Sequence, residues 1–305
     1  MMFCNRAVHA KLVGGLGNQL FVYHAGLWLA KIQGLPLKVD YLELGGGSRS
    51  HGQMLDHGIL NASAYGQINR KISVRRLTYG LANRLLDSKS VSKIVTKLPL
   101  RFYTSRVTGF DPDLETAPHA AVLQGYFQSY IYVRELREKF SYNLHFDPVQ
   151  PSSWFIEMKA RFQCSKFAVV HVRRGDYMAA KDTFGILGEG YYKSAWESIM
   201  AVDSGIEPIV FSDDVEEARL LLQNVLPTTT EFATPPAGTP DSEILALMSH
   251  ADSIVIANST FSWWAAMLNE EKRLIVAPSQ WFLSNEDPSF LIPPEWLRVE
   301  SEWVI

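Results

Sequence analysis

The chain has 305 residues, 47% hydrophobic and 20% charged, with a formal net charge of −3. That size and balance fit one large or two medium globular domains and argue against a general nucleic-acid binder, which would carry an excess of positive charge. Its two cysteines, Cys4 and Cys164, stand in no metal-ligand spacing, the opening residues have no signal-peptide core, and the apolar run 20–30 is too short to span a bilayer, so a cytoplasmic protein with reduced thiols is expected.

Residues 9–41 read as one β-α-β unit. A strand near 10–13 meets the turn Gly14-Gly15-Leu16-Gly17, a helix runs from about Asn18 to Ile32, and a strand follows from Leu35 to Tyr41. Residues 45–48 are a glycine loop. The stretch 66–106 is helical in pattern and strongly basic, with Asp87 as its one acid. It is either an ordinary solvated face or a surface for an anionic membrane or acceptor, which would make the protein peripheral to a membrane. Residues 120–129 have strand character, 130–140 predict a helix, and the Pro- and Ser-rich segment 147–153 is the best linker. Beyond it, strands near 167–172, 207–212, 230–233, 252–257 and 273–277 alternate with helices near 190–202, 215–224, 241–249 and 259–269. This alternation means βαβ units around a parallel sheet. The expected fold class is α/β, in two halves (1–150 and 151–305) with the ligand cleft between them.

The chemistry concentrates at strand ends. His171-Val172-Arg173-Arg174-Gly175-Asp176-Tyr177 follows the apolar run 167–170, so a buried strand delivers two arginines to its carboxyl end, where open α/β sheets bind ligands. The guanidinium fork suits a diphosphate; elsewhere such a pair is simply solvated. Asp176 is expected to pair with Arg173 or Arg174 and hold them rigid, or to serve as a catalytic carboxylate in rivalry with Glu189. Gly14-Gly15-Leu16-Gly17-Asn18-Gln19 offers close backbone approach and the N–H groups of a helix start, or is only a tight turn, and it matches neither the Walker nor the dinucleotide spacing. Asn258-Ser259-Thr260-Phe261 ends a buried strand in small polar groups that could hold a phosphate or merely cap the next helix. Asp213 could contact a base or ribose or cap a helix, while Asp214 reads as the cap. Glu189 is a candidate general base if burial raises its pKa, or an ordinary residue at a helix start. Asp111-Pro112-Asp113 resembles a metal-binding Asp-x-Asp but follows no apolar strand and reads as a turn; no metal site is expected.

Taken in order, the motifs 14–21, 125–129 (Gly-Tyr-Phe-Gln-Ser), 171–177, 211–214 and 258–266 make the chain resemble the alpha-1,2-fucosyltransferases of glycosyltransferase family 11, bacterial members in particular. The resemblance runs from about residue 11 to 282. It implies a GT-B fold of two Rossmann-like domains facing a cleft, the first on the acceptor side and the second binding GDP-L-fucose. It also implies inverting transfer to the 2-hydroxyl of a terminal galactose in a glycan, without a metal or other cofactor. By similarity, Arg173 neutralises the pyrophosphate, His171 contacts the nucleotide and Asn18 reaches the phosphates across the cleft. Gly15 and Gly17 border that site, Ser259, Thr260 and Phe261 surround the nucleotide, and Glu243 stands near a position that reads guanine. Glu189 matches an acidic position of vertebrate relatives. Another fucosyl linkage, or a sugar-nucleotide-binding protein without catalysis, are the alternatives. The aromatics Tyr126, Phe127, Trp263 and Trp264 either face sugar rings or fill the core, and at least half are expected in the core.

Overall fold

The structure, a computed structural model, describes residues 7–40, 101–144, 146, 148, 150–175, 177, 185–268, 274–283 and 288–304. The first half contains β1 (Val8–Lys11), α1 (Leu16–Gln33), β2 (Leu37–Asp40), β3 (Arg101–Thr104), β4 (Ala121–Gln124) and α2 (Tyr130–Phe140). The second continues with α3 (Ser153–Cys164), β5 (Phe167–Val172), β6 (Ile186–Leu187), α4 (Glu189–Val202), β7 (Glu207–Ser212), α5 (Val215–Leu222) and β8 (Glu231–Phe232). It closes with α6 (Asp241–Ser249), β9 (Ser253–Val255), α7 (Thr260–Met267), β10 (Leu274–Pro278), β11 (Leu297–Val299) and β12 (Trp303–Val304). The strands form two parallel sheets, β2-β1-β4-β3 and β11-β10-β9-β5-β7-β8, while β6 pairs antiparallel with β12.

Central parallel strands are covered on both faces, so they need an unbroken apolar run rather than alternation. Phe-Ala-Val-Val-His-Val of β5 meets that demand, and every residue of it is buried. Three helix starts follow serines: Ser129, Ser152 and Ser259 each accept a first-turn N–H into their hydroxyl. Helix α1 stops at Gly34, whose φ of 63° suits glycine. Between its ends, α1 is apolar all round and buried from Leu16 to Ala30 except at Asn18, as a helix wedged between layers must be.

That wedge joins the halves. Phe21 of α1 lies 4.5 Å from Trp263 and 5.0 Å from Trp264 of α7, and His24 stacks on Trp264 at 4.6 Å. One core therefore runs from the first sheet through α1 and α7 to the inner face of the second. A second core, with Tyr191, Tyr192, Trp196 and Leu222, covers the other face of the second sheet. From α2, Arg137 reaches the last carbonyl of α7 at Met267, 3.3 Å away.

The segment read as helical over 66–106 is corrected at its end, because Arg101–Thr104 is strand β3. Its aromatic and β-branched residues pair in register with β4, and that pairing prevails over local pattern. Residues 66–100, the glycine loop at 45–48 and part of the expected linker (Asp147, Val149) lie outside the described residues. Helix α1 begins at Leu16, so Gly17 belongs to its first turn rather than to the preceding turn.

His24 Nδ1 donates to the Leu20 carbonyl at 2.7 Å, its Nε2 accepts from the Tyr142 hydroxyl at 3.3 Å, and burial lowers its pKa from 6.5 to about 4. Burial, and secondarily the Arg173 charge, lowers His171 to about 3. Both are neutral in the folded protein, whereas the unfolded chain protonates them below pH 6.5. Their contribution is therefore full above pH 6.5 and is lost as pH falls, by of order 2 kcal/mol per histidine at pH 5. Urea midpoints at pH 7.5 and 5 should fall accordingly. His24→Gln should start less stable and lose less over that interval; an equal loss would contradict the assignment.

Candidate active site

In each sheet the chain first builds outward on one side, then crosses to the other. The second sheet has β7 and β8 on one flank of β5, and β9, β10 and β11 on the other, which places its switch point between β5 and β9. The first has its switch point between β1 and β4. Loops leaving the carboxyl ends at such points diverge and leave a crevice for ligands. His171, Arg173, Asn258 to Phe261 and Asn18 lie at or beyond three of these strand ends, and Asp213 follows β7 beside β5.

After β5, the two arginines take different roles. Arg173 remains about one quarter exposed, and its guanidinium pairs with the Asp213 carboxylate at 3.0 Å. The other Asp213 oxygen accepts the backbone N–H of Arg174 at 2.8 Å. Asp213, at the end of β7, thus grips the β5 loop by side chain and backbone together. A Cβ on Gly175 would collide with the Asp213 carboxylate, so glycine at 175 makes room for the clamp. Arg174 is 4% exposed and donates to the carbonyls of Arg173 (3.2 Å) and Leu187 (2.9 Å). The expectation of two phosphate-facing arginines is corrected here, since Arg174 is spent on holding the β6 segment. Asp213 pairs with Arg173; Asp176, expected to pair with one of the arginines, lies outside the described residues.

Across the switch point, His171 and Phe261 bring their rings to 6.1 Å, and the Tyr192 hydroxyl donates to the His171 carbonyl at 3.2 Å. The His171 Nδ1 is buried and makes no hydrogen bond among the described residues. Tyr177 donates to the Asn258 carbonyl at 3.1 Å, tying the β5 loop to the β9 loop. Asn258 is buried and turns its amide towards the carbonyls of Gly185 and Trp281, each at 3.4 Å. Ser259 is the N-cap of α7, while Thr260 and Phe261 open its first turn, half-exposed.

The first half meets this region at one close contact. A Cβ on Gly17 would lie 2.5 Å from the Thr260 carbonyl carbon and 2.6 Å from its Oγ1. The starts of α1 and α7 therefore abut, and their free N–H groups converge on one neighbourhood, where an anion is favoured. Gly15 has nothing within 4 Å of its would-be Cβ and is exposed. Asn18, half-buried on the same turn, accepts from Gln128 at 2.9 Å. Gln128, beyond β4, is a site-bordering residue that reading the sequence alone left without a role.

Other expected residues are placed elsewhere. Glu189 opens α4 and is exposed, so the burial that a base role was expected to draw on is not present. Both Glu243 oxygens accept from Ser152, from its N–H at 2.9 Å and its hydroxyl at 2.5 Å, which anchors the start of α3. Asp214 caps α5, and Asp111 accepts the Asp113 N–H in a turn, as read. Phe127, Trp263 and Trp264 are core residues, whereas Tyr126 is exposed. Among the described residues no group of three or more His, Cys, Asp or Glu side chains is set to hold a metal ion, and no helix is long and apolar enough to cross a membrane.

Two parallel sheets whose switch points meet at abutting helix starts, with a clamped arginine beside them, make up a GT-B type fold. The model of the family "Glycosyl transferase family 11" matches residues 125–300, and the chain belongs to that family. It is 27% identical over 303 residues to an alpha-1,2-colitosyltransferase of Escherichia coli, covering 96% of this chain and 99% of that one. It is also 27% identical over 183 residues to the galactoside 2-alpha-L-fucosyltransferase Sec1 of Mus musculus, covering 58% and 46% of the two chains. A solved structure of a mutant Arabidopsis thaliana FUT1 in complex with GDP shares the fold, with a TM-score of 0.50 and 14% identity over 88% of this chain and 70% of that one.

The abutting helix starts separate two glycine substitutions. Gly17→Ala must push α1 from α7, at the roughly 1–3 kcal/mol typical of overpacking. It should lower both the thermal midpoint and turnover. Gly15→Ala, in open space, should leave the midpoint unchanged. An unchanged midpoint for Gly17→Ala would contradict the close contact.

Proposed function

We propose that the protein transfers L-fucose from GDP-L-fucose to the 2-hydroxyl of a terminal galactose, forming an alpha-1,2 linkage with inversion and without a metal. The observation that carries this reading is Arg173: a permanently charged, partly exposed group at the switch point, clamped by Asp213 inside the segment that matches the family. The names of the relatives, one an alpha-1,2-colitosyltransferase and one a galactoside 2-alpha-L-fucosyltransferase, support the linkage and the sugar class, and the GDP complex of the structural neighbour supports the nucleotide.

As the bond from sugar to diphosphate breaks, charge grows on the leaving group. Arg173 and the N–H groups at the starts of α7 and α1 are fixed in advance to meet it, which is the condition for large electrostatic stabilisation. In this reading the second half (151–305) holds the donor and the first (1–150) the acceptor. The acceptor hydroxyl gives up its proton on the face opposite the leaving diphosphate. Glu189, exposed at the start of α4, and Asp176, outside the described residues, are the carboxylates for that step. His171, neutral because it is buried, borders the nucleotide without adding charge. Glu243, turned to Ser152, orders the α3 start within the donor half. The basic segment 66–106 is assigned to an anionic acceptor or membrane surface in the cytoplasm.

A second reading, transfer of colitose, is favoured by the colitosyltransferase relative, whose match extends over nearly the whole of both chains. Incubation with lactose and chelator, with GDP-fucose or GDP-colitose in turn, and NMR of the product decides between them. Alpha-linked fucose on the galactose O2 is expected; transfer of colitose alone, or loss of product in chelator, would overturn the donor or the metal-free step respectively. Arg173→Ala should lower turnover by about 100-fold or more while the fold is kept. Near-normal turnover would remove the diphosphate role.

A further inference from the structure

We propose that Gln128 is a positioning residue that fixes which face of the Asn18 amide meets the donor phosphates. The proposal rests on the sugar-nucleotide reading above. Gln128 Nε2 donates to Asn18 Oδ1 at 2.9 Å across the switch point of the first sheet, between the β4 loop and the first turn of α1. Gln128 is 8% exposed, so its own choices are few. Its backbone N–H donates to the Thr108 carbonyl at 2.7 Å. On one side stands Phe127, fully buried with a φ of 51°; on the other, the Ser129 hydroxyl donates to the Phe290 carbonyl at 2.7 Å. The loop is pinned at three successive residues, and the Gln128 amide inherits that rigidity.

Hydrogen-bond accounting fixes the direction of the bond. As drawn, Gln128 leaves one buried acceptor, Oε1, without a partner among the described residues. Turning both amides over would instead orphan its buried NH2 donors, and buried orphan donors are the rarer and costlier case. With Oδ1 claimed, Asn18 presents its Nδ2 donors. These lie against Gly14, where an added Cβ would come within 2.8 Å of Nδ2; Gly14, at a φ of 70°, leaves the amide its room. At the start of a helix that must receive an anion, an amide NH2 adds attraction where an amide oxygen would add repulsion. A free asparagine could turn either way, and Gln128 removes the unproductive half of that choice.

The test compares GDP and guanosine binding, by calorimetry, in wild type, Gln128→Met, Asn18→Ala and the double variant. Gln128→Met keeps the volume and loses the donor. It should bind GDP roughly 5- to 10-fold more weakly, bind guanosine as wild type does, and add nothing in the Asn18→Ala background. Gln128→Glu keeps the shape and reverses the bond; it serves if the methionine variant does not fold, and should weaken GDP further. Unchanged GDP affinity in these variants, or an equal loss in the Asn18→Ala background, overturns the role of Gln128 alone. A wild type that binds no GDP overturns the sugar-nucleotide reading, and this inference with it.

Discussion

The carboxylate of Asp213 is the interaction on which the site depends. It sits at the end of β7 and reaches the neighbouring strand's loop twice, at the Arg173 guanidinium and at the Arg174 backbone. An unpaired arginine at a strand end would sweep through many rotamers, and ordering its side chain on ligand arrival costs about 1.5–2 kcal/mol. Asp213 meets that cost at folding. The same clamp dictates glycine at 175 and helps place Arg174 where its guanidinium can hold the Leu187 carbonyl. One carboxylate thereby orders three consecutive residues.

The second constraint is the contact between the halves. Parallel sheets place their reactive loops at one end, and two such ends make a joint site only if the halves are held face to face. Here α1 and α7 do this along their length through Phe21, His24, Trp263 and Trp264, and at their starts through Gly17 and Thr260. The aromatic packing is non-directional and strong, whereas the glycine contact sets the spacing to within a methyl group. His24 within this seam is kept neutral by its burial, which ties the joint's integrity to pH.

How much of this could be read from the sequence depended on the range of the forces involved. Strands β5 and β7 fall on the expected 167–172 and 207–212 because a doubly covered strand writes itself as a short apolar run. Asp214 as a cap and Asp111 in a turn were legible for the same reason, since their partners are two or three residues away. Composition and spacing alone gave Arg173 and Arg174 the same role, and only the resemblance singled out Arg173, because neighbours in sequence diverge when the fold gives one of them the Leu187 carbonyl. Nor could Glu243 be matched with Ser152, 91 residues earlier, or Gln128 with Asn18, 110 residues earlier. Strand β3 was lost to a helical pattern because its identity comes from β4 beside it. Local chemistry was visible in the sequence; the pairing of distant polar groups, which decides the site, was not.

The most direct test of the account is a crystal structure of the protein with GDP bound. The account predicts the diphosphate within about 3 Å of the Arg173 guanidinium and of backbone N–H groups in the first turn of α7, with the Asp213 pair intact. A diphosphate seated away from the β5–β9 switch point and out of reach of the Arg173 guanidinium would contradict it.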